Sequence, residues 1–453
     1  MKELTLKQIA DWCGGTVAPE YETVPVTGVE SDSRKVEVGD LFVALRGERV
    51  DGHEYIPAAK EKGAVAALVS QESGELPCIV VENTLRAYGE IARHYREMLS
   101  FKVVGITGSV GKTTTKEMIA AVLRTALRTQ WTEKNYNNEI GLPVSVLRLK
   151  PDCEAAVLEM GMNHFGELSV LTRIAQPDLA VITNIGTMHI ENLGSREGIL
   201  RAKLEILEGL RPGGRVIFNG DDALLRPLAA RYHAVCFGLS EGCDVRASRV
   251  CESAEGSKFT VHAFGKSFEA ALSVPGLHNV LDALAAAAVG LLLGLSPEQI
   301  AEGLRSYAPL RQRVSHAAGM TIIDDCYNAG PESMRAALRV LAGTPTEGRR
   351  IAVLGGMLEL GDFAPELHAG VGREAAKAAD LLLAYGPCSE CYVQGAHEAG
   401  LAGARAFATH DALVAALEET CRAGDTLLFK GSHGMHMEQV LARLLKTKEH
   451  MGE

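Results

Sequence analysis

The stretch that decides the fold reads Val103-Val104-Gly105-Ile106-Thr107-Gly108-Ser109-Val110-Gly111-Lys112-Thr113-Thr114-Thr115. Its β-branched beginning is typical of a buried strand, and the sequence after Lys112 is typical of a helix. A glycine-rich turn that joins a strand to a helix and ends in Gly-Lys-Thr is the pattern of a P-loop. We interpret Gly105 as the first glycine of this loop and Gly111 as the last. The chain is therefore predicted to bind a nucleoside triphosphate at this turn.

The chemistry of a P-loop explains why these residue types occur together. Glycines let backbone N–H groups converge on phosphate oxygens, and the helix that follows adds a partial positive charge at its N-terminus. The Lys112 ammonium can reach the β- and γ-phosphates, and the Thr113 hydroxyl can ligate Mg²⁺. A chance glycine turn is the alternative, but the strand before it and the helix after it disfavour that interpretation. We expect the nucleotide to be bound by Gly108, Ser109, Gly111, Lys112, Thr113 and Thr114.

Length and composition limit the class of protein. With 453 residues, 47% of them hydrophobic and 23% charged, the chain is predicted to be globular and to form roughly two to four domains. A net charge of -11 argues against nucleic acid or an anionic membrane as a partner. Apolar runs are too short to span a membrane, and charges interrupt the segment where a signal peptide would be apolar. We therefore expect a cytoplasmic protein without membrane insertion, with an amphipathic helix over residues 1–10.

Strand and helix patterns divide the chain into three α/β domains. Residues 1–100 are predicted to form a small α/β unit, in which Ser33-Arg34 forms either a turn or part of a ligand site. Residues 101–310 contain the P-loop and alternate strands with helices, which favours a mostly parallel sheet. Residues 311–453 repeat strand, glycine-rich loop and helix, which is typical of a second, Rossmann-like open sheet. We expect this third domain to close over the central one, with a hinge near residues 308–313.

Other polar residues follow predicted strands or begin helices, and each has a structural as well as a functional interpretation. Glu159 ends a buried strand, where it either orders Mg²⁺ near the phosphates or begins a helix, and the P-loop upstream favours the metal. His189 lies on a loop after another strand and fits a structural role as well as a cation ligand. Lys203, on a predicted helix, would ordinarily be a solvated side chain. Asn279 either caps a helix or contacts an adenine edge.

Five motifs, taken together, resemble the Mur ligase family of ATP-dependent amide-forming enzymes, and the resemblance extends over nearly the whole chain. The motifs are Thr107-Gly108-Ser109-Val110-Gly111-Lys112-Thr113-Thr114-Thr115-Lys116-Glu117, Asn135-Tyr136-Asn137-Asn138-Glu139-Ile140-Gly141-Leu142-Pro143, Glu159-Met160-Gly161-Met162, Asp324-Asp325-Cys326-Tyr327-Asn328-Ala329 and Lys430-Gly431-Ser432. The resemblance implies a uridine-nucleotide-binding domain at 1–100, an ATP-binding P-loop domain at 101–310 and a ligase domain at 311–453.

The resemblance also implies roles for individual residues. Thr113 and Glu159 would hold one Mg²⁺ ion between the β- and γ-phosphates, and His189 would be a ligand of a second. Lys203 would be carbamylated, which turns its ammonium into an anion, and Lys112, His189 and Lys203 would form the catalytic set. The remaining implied contacts are with ATP for Asn279, Arg313, Asp325, Tyr327 and Asn328, and with the substrate for Ser33, Arg34, Gly47, Asn137 and Asn138.

Within the family, the resemblance implies a monomeric enzyme that adds D-alanyl-D-alanine to UDP-N-acetylmuramoyl-tripeptide in peptidoglycan precursor synthesis. ATP would convert the peptide's carboxylate into an acyl phosphate, which the dipeptide amine would attack. The member that adds the third residue usually carries an Asp-Tyr-Ala-His-Thr-Pro run and an Asp-Asn-Pro-Arg-like motif, and neither occurs here. Further alternatives are a folylpolyglutamate synthase, a P-loop ATPase switch that turns over ATP without an acceptor, and a nucleotide-binding scaffold without activity.

Overall fold

A computed structural model describes residues 1–47, 50–253, 256–309 and 313–450, and of residues 449 and 450 only the backbone. Its elements form three α/β domains in succession, each built around a β-sheet. Within these described ranges, no helix has both the length and the apolar character that a membrane crossing requires. The predicted hinge near 308–313 includes residues 310–312, which lie outside the described part of the chain.

The first domain contains a small parallel sheet. The strands of this domain are β1 Leu4–Thr5, β2 Pro25–Val26, β3 Gly28–Glu30, β4 Asp40–Val43, β5 Ala66–Val69 and β6 Cys78–Val80, and its α-helices are α1 Leu6–Cys13, α2 Ile56–Glu61 and α3 Thr84–Glu97. Strands β1 and β2 form a separate antiparallel pair. The four parallel strands lie in the order β3-β4-β5-β6. The helix predicted over residues 1–10 begins only at Leu6. Thr5 caps it, since its hydroxyl accepts from the Gln8 N–H at 3.3 Å while the Gln8 side chain accepts from the Thr5 N–H at 2.9 Å.

The central domain contains the largest sheet. Its strands are β7 Lys102–Thr107, β8 Thr129–Trp131, β9 Ala155–Glu159, β10 Leu179–Ile182, β11 Arg215–Asn219, β12 Val235–Gly238, β13 Val245–Ser253, β14 Gly256–Ala263 and β15 Lys266–Leu272. Its α-helices are α4 Lys112–Leu123, α5 Gly141–Leu147, α6 Glu167–Ala175, α7 Ile190–Leu193, α8 Arg196–Leu204, α9 Ala229–Tyr232, α10 Leu277–Leu292 and α11 Pro297–Ser306. The strand order is β15-β14-β13-β12-β11-β10-β7-β9-β8, parallel from β8 to β13 and antiparallel beyond.

The position of β7 explains where a site forms. This strand lies between β9 and β10 with parallel partners on both sides, and its residues 103–107 are buried. Strands covered on both faces favour the continuous β-branched run seen in the sequence. Because parallel strands end at the same edge, the loops after β7, β9 and β10 meet there.

The third domain contains a second open sheet. Its strands are β16 Arg313–Ala317, β17 Met320–Asp325, β18 Arg350–Gly355, β19 Leu381–Tyr385, β20 Ala404–Phe407 and β21 Thr426–Lys430, and its α-helices are α12 Pro331–Gly343, α13 Ala364–Ala378, α14 Ser389–Glu398, α15 His410–Thr420 and α16 Met437–His450. The order is β16-β17-β21-β18-β19-β20, and only the β16–β17 pair is antiparallel. The mostly parallel arrangement agrees with the Rossmann-like sheet expected from the sequence.

Arg96, in the last turn of α3, joins the first domain to the central one. Its guanidinium is fully buried and donates to the carbonyls of Leu99 at 2.8 Å, Ala175 at 2.9 Å and Gln176 at 3.2 Å. A buried charge of this kind is tolerated only when its hydrogen bonds are satisfied. The two domains are thus connected by a polar contact as well as by apolar packing.

Candidate active site

The loop after β7 has the backbone geometry of a phosphate-binding turn. Gly108 has φ 154° and Gly111 has φ 86°, both in the region that favours glycine. A Cβ at Gly108 would meet the Thr183 hydroxyl, and one at Gly111 would lie 2.7 Å from an Asp282 carboxylate oxygen. Gly105 differs from the prediction, because it lies inside β7 rather than in the loop. It faces Met160 and Pro177, so its missing side chain serves packing and not phosphate binding.

Asn184, directly beyond β10, holds the loop from the side. Its carbonyl accepts from the Ser109 N–H at 3.1 Å, and its side-chain oxygen accepts from the Val110 N–H at 2.9 Å. The Ser109 hydroxyl in turn accepts from the Gly186 N–H at 2.9 Å. These bonds fix the loop without any ligand, so phosphate binding would require little ordering of the backbone.

Lys112 begins α4 and lies back over the loop that precedes it. Its ammonium donates to the Gly108 carbonyl at 2.8 Å and lies 3.5 Å from the Ser109 carbonyl. The side chain and Thr114 both line a cavity of about 550 Å³. A cation at this place can meet phosphate oxygens bound in the loop.

Thr113 and Glu159 come together at the end of β9. The Thr113 hydroxyl donates to one oxygen of Glu159 at 3.0 Å, and the Asn137 amide donates to the other at 2.8 Å. The carboxylate is only 2% exposed, and the Lys116 ammonium lies 3.8 Å away. A hydroxyl and a carboxylate are the hard oxygen ligands that Mg²⁺ prefers. Among the described residues, no cluster of three or more His, Cys, Asp or Glu side chains could hold a metal ion.

His189 lies where the central and third domains meet. It has a left-handed φ of 63°, and its Nδ1 lies 2.5 Å from a carboxylate oxygen of Glu359. This contact, together with desolvation that acts in the opposite sense, leaves the pKa of Glu359 below its usual value. Thr187, two residues earlier, donates to Glu332 of the third domain at 3.1 Å. Sequence reasoning missed both glutamates, because no local pattern pairs them with the loop that carries His189.

Lys203, on α8, is buried rather than solvated. It is only 1% exposed. Burial lowers the pKa of Lys203 well below its usual value, and the nearby charge of Lys112 lowers it further. The solvated interpretation is therefore wrong, and the lowered pKa favours the neutral form of the amine.

Asp282, which sequence reasoning also missed, lies behind the P-loop on α10. It accepts a hydrogen bond from the Thr115 hydroxyl at 2.7 Å. Burial raises its pKa to about 8. Asn279, one turn earlier on the same helix, is buried, and its amide donates to the Pro275 carbonyl at 2.7 Å instead of capping the helix. Both residues line the cavity beside the P-loop.

The third domain supplies the opposite wall of the site. Asp325, Tyr327 and Asn328 line the first cavity together with Lys430, whose ammonium donates to Asp325 at 2.6 Å and to the Asn328 carbonyl at 2.9 Å. A second cavity of about 860 Å³ adjoins the first and is lined by Arg313 as well. Most of the predicted site residues therefore lie around one crevice, and those that line it are Ser109, Gly111, Lys112, Thr113, Thr114, Asn137, Asn138, Glu159, His189, Asn279, Asp325, Tyr327 and Asn328.

The residues predicted to bind substrate lie in two places. Asn137 and Asn138 line the first cavity, although the Asn138 side chain also accepts from the N–H of Gly141, the first residue of α5, at 2.8 Å. Ser33, Arg34 and Gly47 line neither cavity. They follow β3 and β4, so they lie at the carboxyl edge of the first domain's parallel sheet, where ligands commonly bind.

Comparisons with known proteins match this chain over nearly its whole length. Residues 25–96 match the profile described as Mur ligase family, catalytic domain; residues 106–290 match the Mur ligase middle domain; and residues 311–433 match the Mur ligase, glutamate ligase domain. The UDP-N-acetylmuramoyl-tripeptide–D-alanyl-D-alanine ligase of Bacillus subtilis is 39% identical, over 99% of this chain and 99% of its own. The enzyme of the same name from Escherichia coli is 36% identical, over 98% and 99%.

Solved structures give the same result. A crystal structure of MurF from Acinetobacter baumannii has a TM-score of 0.90 at 34% identity, covering 98% of this chain and 99% of that one. MurF ligase from Thermotoga maritima, in complex with ADP, has a TM-score of 0.84 at 30% identity and covers 94% and 99%. Identity at this level over full length establishes common descent as well as a common three-domain fold. The chain belongs to the Mur ligase family.

Proposed function

We propose that this protein is an ATP-dependent ligase that joins D-alanyl-D-alanine to UDP-N-acetylmuramoyl-tripeptide and releases ADP and phosphate. The observation that carries the proposal is full-length identity of 36% and 39% to two enzymes of that name, combined with the P-loop crevice between two domains. The substrates are soluble nucleotides of the cell interior, so we place the reaction in the cytoplasm. A monomer is still the expectation from the family.

The chemical problem is that a carboxylate is a poor electrophile. In the first step, an oxygen of the tripeptide's terminal carboxylate attacks the γ-phosphorus of ATP, the bond to the bridging oxygen breaks and ADP leaves. In the second, the dipeptide amine attacks the acyl carbon, the C–O bond to phosphate breaks and the amine loses a proton. The first step brings two anions together, so stabilisation of charge should be the largest catalytic effect.

The residues around the P-loop are suited to that task. Backbone N–H groups at Gly108–Lys112 would bind the phosphates, and the Lys112 ammonium would neutralise charge on the transferred group. Thr113 and Glu159 would hold one Mg²⁺ ion, and His189 would contact a second. Bound there, Mg²⁺ would supply charge neutralisation and orientation of the phosphates.

Lys203 has the properties that carbamylation requires. A neutral amine can attack CO₂, form an N–C bond and lose a proton, which yields an anion. Burial lowers the pKa of Lys203 and so favours the neutral amine. Its product would place a negative charge near Lys112 and the cations. We expect activity to fall in bicarbonate-free buffer and to recover when bicarbonate is added. Activity that does not depend on CO₂ would contradict carbamylation of Lys203.

The third domain would protect the acyl phosphate from water. Its residues Asp325, Asn328 and Lys430 already line the nucleotide cavity, and Glu332 and Glu359 contact the central domain. We propose that residues after about 311 close further when ATP and both substrates bind. Small-angle scattering with an ATP analogue and both substrates should show a more compact particle, whereas an unchanged profile contradicts closure.

One assay tests the proposed function directly. Phosphate release from ATP is measured with UDP-N-acetylmuramoyl-tripeptide, with and without D-alanyl-D-alanine, and the product is identified by mass spectrometry. We expect sustained release and a product enlarged by the dipeptide only when both substrates are present. Rapid ATP turnover without acceptor would instead indicate a P-loop ATPase switch. Failure to use the tripeptide, together with addition of a free amino acid to UDP-N-acetylmuramoyl-dipeptide, would indicate the third-residue-adding ligase.

A further inference from the structure

The contact between the first and central domains contains a small charged cluster that the proposed reaction does not use. We call it the interdomain cluster, and it consists of Glu30, Asp32 and Lys35 from the first domain and Tyr136 and Arg148 from the central one. The Lys35 ammonium donates to the Tyr136 hydroxyl at 2.8 Å, and Arg148 donates to Glu30 at 2.7 Å. Both cations also lie near the face of the Tyr136 ring, at 5.5 and 5.9 Å from its centroid.

On the first-domain side, the cluster orders the loop that follows β3. One oxygen of Glu30 accepts from the N–H groups of Ser31 and Asp32 at 2.9 and 3.1 Å, while the other accepts from Arg148. Asp32 pairs with Arg34 through two hydrogen bonds of 2.8 and 2.9 Å and lies 3.3 Å from the Lys35 ammonium. The Arg34 side chain itself is 86% exposed, so it can leave Asp32 for an anionic ligand.

On the central side, the cluster holds the segment that contacts the Glu159 carboxylate. Tyr136 is followed directly by Asn137, whose amide donates to Glu159 at 2.8 Å and whose carbonyl accepts from the Gly161 N–H at 2.8 Å. Glu159 accepts from Thr113 with its other oxygen. A series of direct contacts therefore runs from Arg34 through Asp32, Lys35, Tyr136 and Asn137 to the carboxylate beside the P-loop.

We propose that Lys35 and Tyr136 are positioning residues, which orient the Glu159 carboxylate through Asn137 and couple the cation–nucleotide site to the loop at 31–35. This inference rests on the proposed function for the identity of the two ligands. In this role, Lys35 and Tyr136 act through Asn137 and Glu159 and not by direct contact with the reacting atoms or the nucleotide. Removal of a side chain that hydrogen-bonds a metal ligand typically changes metal affinity or activity by about 10–100-fold. Asn137 is such a partner of Glu159, and Tyr136 and Lys35 lie one and two steps beyond it. We therefore expect roughly a 10-fold effect at Lys35 and Tyr136.

The test measures binding of Mn²⁺ with the non-hydrolysable ATP analogue AMPPNP by calorimetry, in the full-length protein. Lys35→Met and Tyr136→Phe should weaken the metal-dependent binding roughly 10-fold, while binding of AMPPNP in EDTA stays as in the wild type. Lys35→Arg, which keeps a donor, should restore most of the affinity. The matched control is Lys60→Met, since Lys60 is an exposed lysine of the same domain and is paired with Glu75 at 3.2 Å.

A second titration examines the coupling itself. UDP-N-acetylmuramoyl-tripeptide should tighten Mn²⁺–AMPPNP binding in the wild type, and the two variants should lose that effect. Variants that bind metal–nucleotide like the wild type, or that lose metal-free binding to the same extent, overturn the proposal. Its failure is distinct from failure of the proposed function, because product formation by the wild type decides the latter and metal binding by the variants decides the former.

Discussion

Replacement of Lys112 by methionine is expected to abolish most ligase activity without loss of the fold. The side chain is partly buried on the P-loop, where its ammonium donates to the Gly108 carbonyl at 2.8 Å. An ammonium about 4 Å from a phosphate charge contributes about 4 kcal/mol at an effective dielectric constant of about 20. That energy corresponds to roughly 10³-fold in rate, and loss of a comparable electrostatic stabiliser lowers kcat by about 10²–10³.

The assay for Lys112→Met is initial-rate formation of the UDP-linked pentapeptide at saturating ATP and substrates. Thermal unfolding of the variant should remain close to that of the wild type, since methionine keeps most of the side-chain volume. Lys102→Met is the matched control, because Lys102 is an exposed lysine at the start of β7, the strand that leads into the P-loop, and is paired with Asp178 at 2.9 Å. A folded Lys112→Met protein that ligates within about threefold of the wild type would refute the electrostatic argument.

Three other substitutions probe stability and chemistry separately. Arg96→Met should destabilise the protein in urea denaturation by about 1–3 kcal/mol or more, because it leaves the carbonyls of Ala175 and Leu99 without their donor; an unchanged midpoint contradicts this. Lys203→Met should eliminate ligation yet leave stability equal or higher, since it removes a desolvated amine, and an active variant would exclude any chemical role for this residue. Asp282→Asn tests the raised pKa of about 8. Between about pH 4 and about pH 8, the folded wild type keeps a proton on Asp282 that the unfolded chain has lost. The free energy of unfolding of the wild type should therefore fall by up to about 1.4 kcal/mol per pH unit over this range. The asparagine variant should lack that decline, and parallel stability–pH profiles for the two proteins would contradict the assignment.

The P-loop could be predicted from sequence because its geometry is local. Gly108, Gly111 and Lys112 lie within a few residues of each other, and positive φ angles together with a helix start follow from those residue types. The error at Gly105 has a physical cause as well. A glycine inside a strand, required here by the approach of Met160 and Pro177, looks in the sequence like a glycine of the adjoining loop.

Glu159 was predictable for a different reason. A carboxylate at the end of a buried strand must lie at the carboxyl edge of a parallel sheet, and pairing of Ile106 with Glu159 brings it beside the P-loop.

The interpretation of Lys203 as solvated could not be corrected in this way. Whether a helical lysine faces water depends on what packs against the helix, and the helix itself has no strong apolar pattern that would reveal its buried side.

Contacts between distant segments set the limit of what sequence reasoning can find. Thr115 and Asp282 are 167 positions apart, His189 and Glu359 are 170 apart, and Lys35 and Tyr136 are 101 apart. None of these pairs carries a local signature, because each requires two domains or two distant elements to be placed first. Asp282 in particular is an ordinary helical aspartate until α10 packs behind the P-loop.

The amino-acid sequence by itself determined the three α/β units, the phosphate-binding turn and the carboxylate at the end of β9. Those features follow from backbone preferences and from hydrophobic periodicity over short segments, where neighbours in the chain are neighbours in space. Only the tertiary structure decided which side chains surround the crevice, which lysine is desolvated and which loops of the first and third domains reach the central one. Burial and charge pairing depend on the packing of whole elements, and that packing is a property of the folded chain rather than of any one stretch.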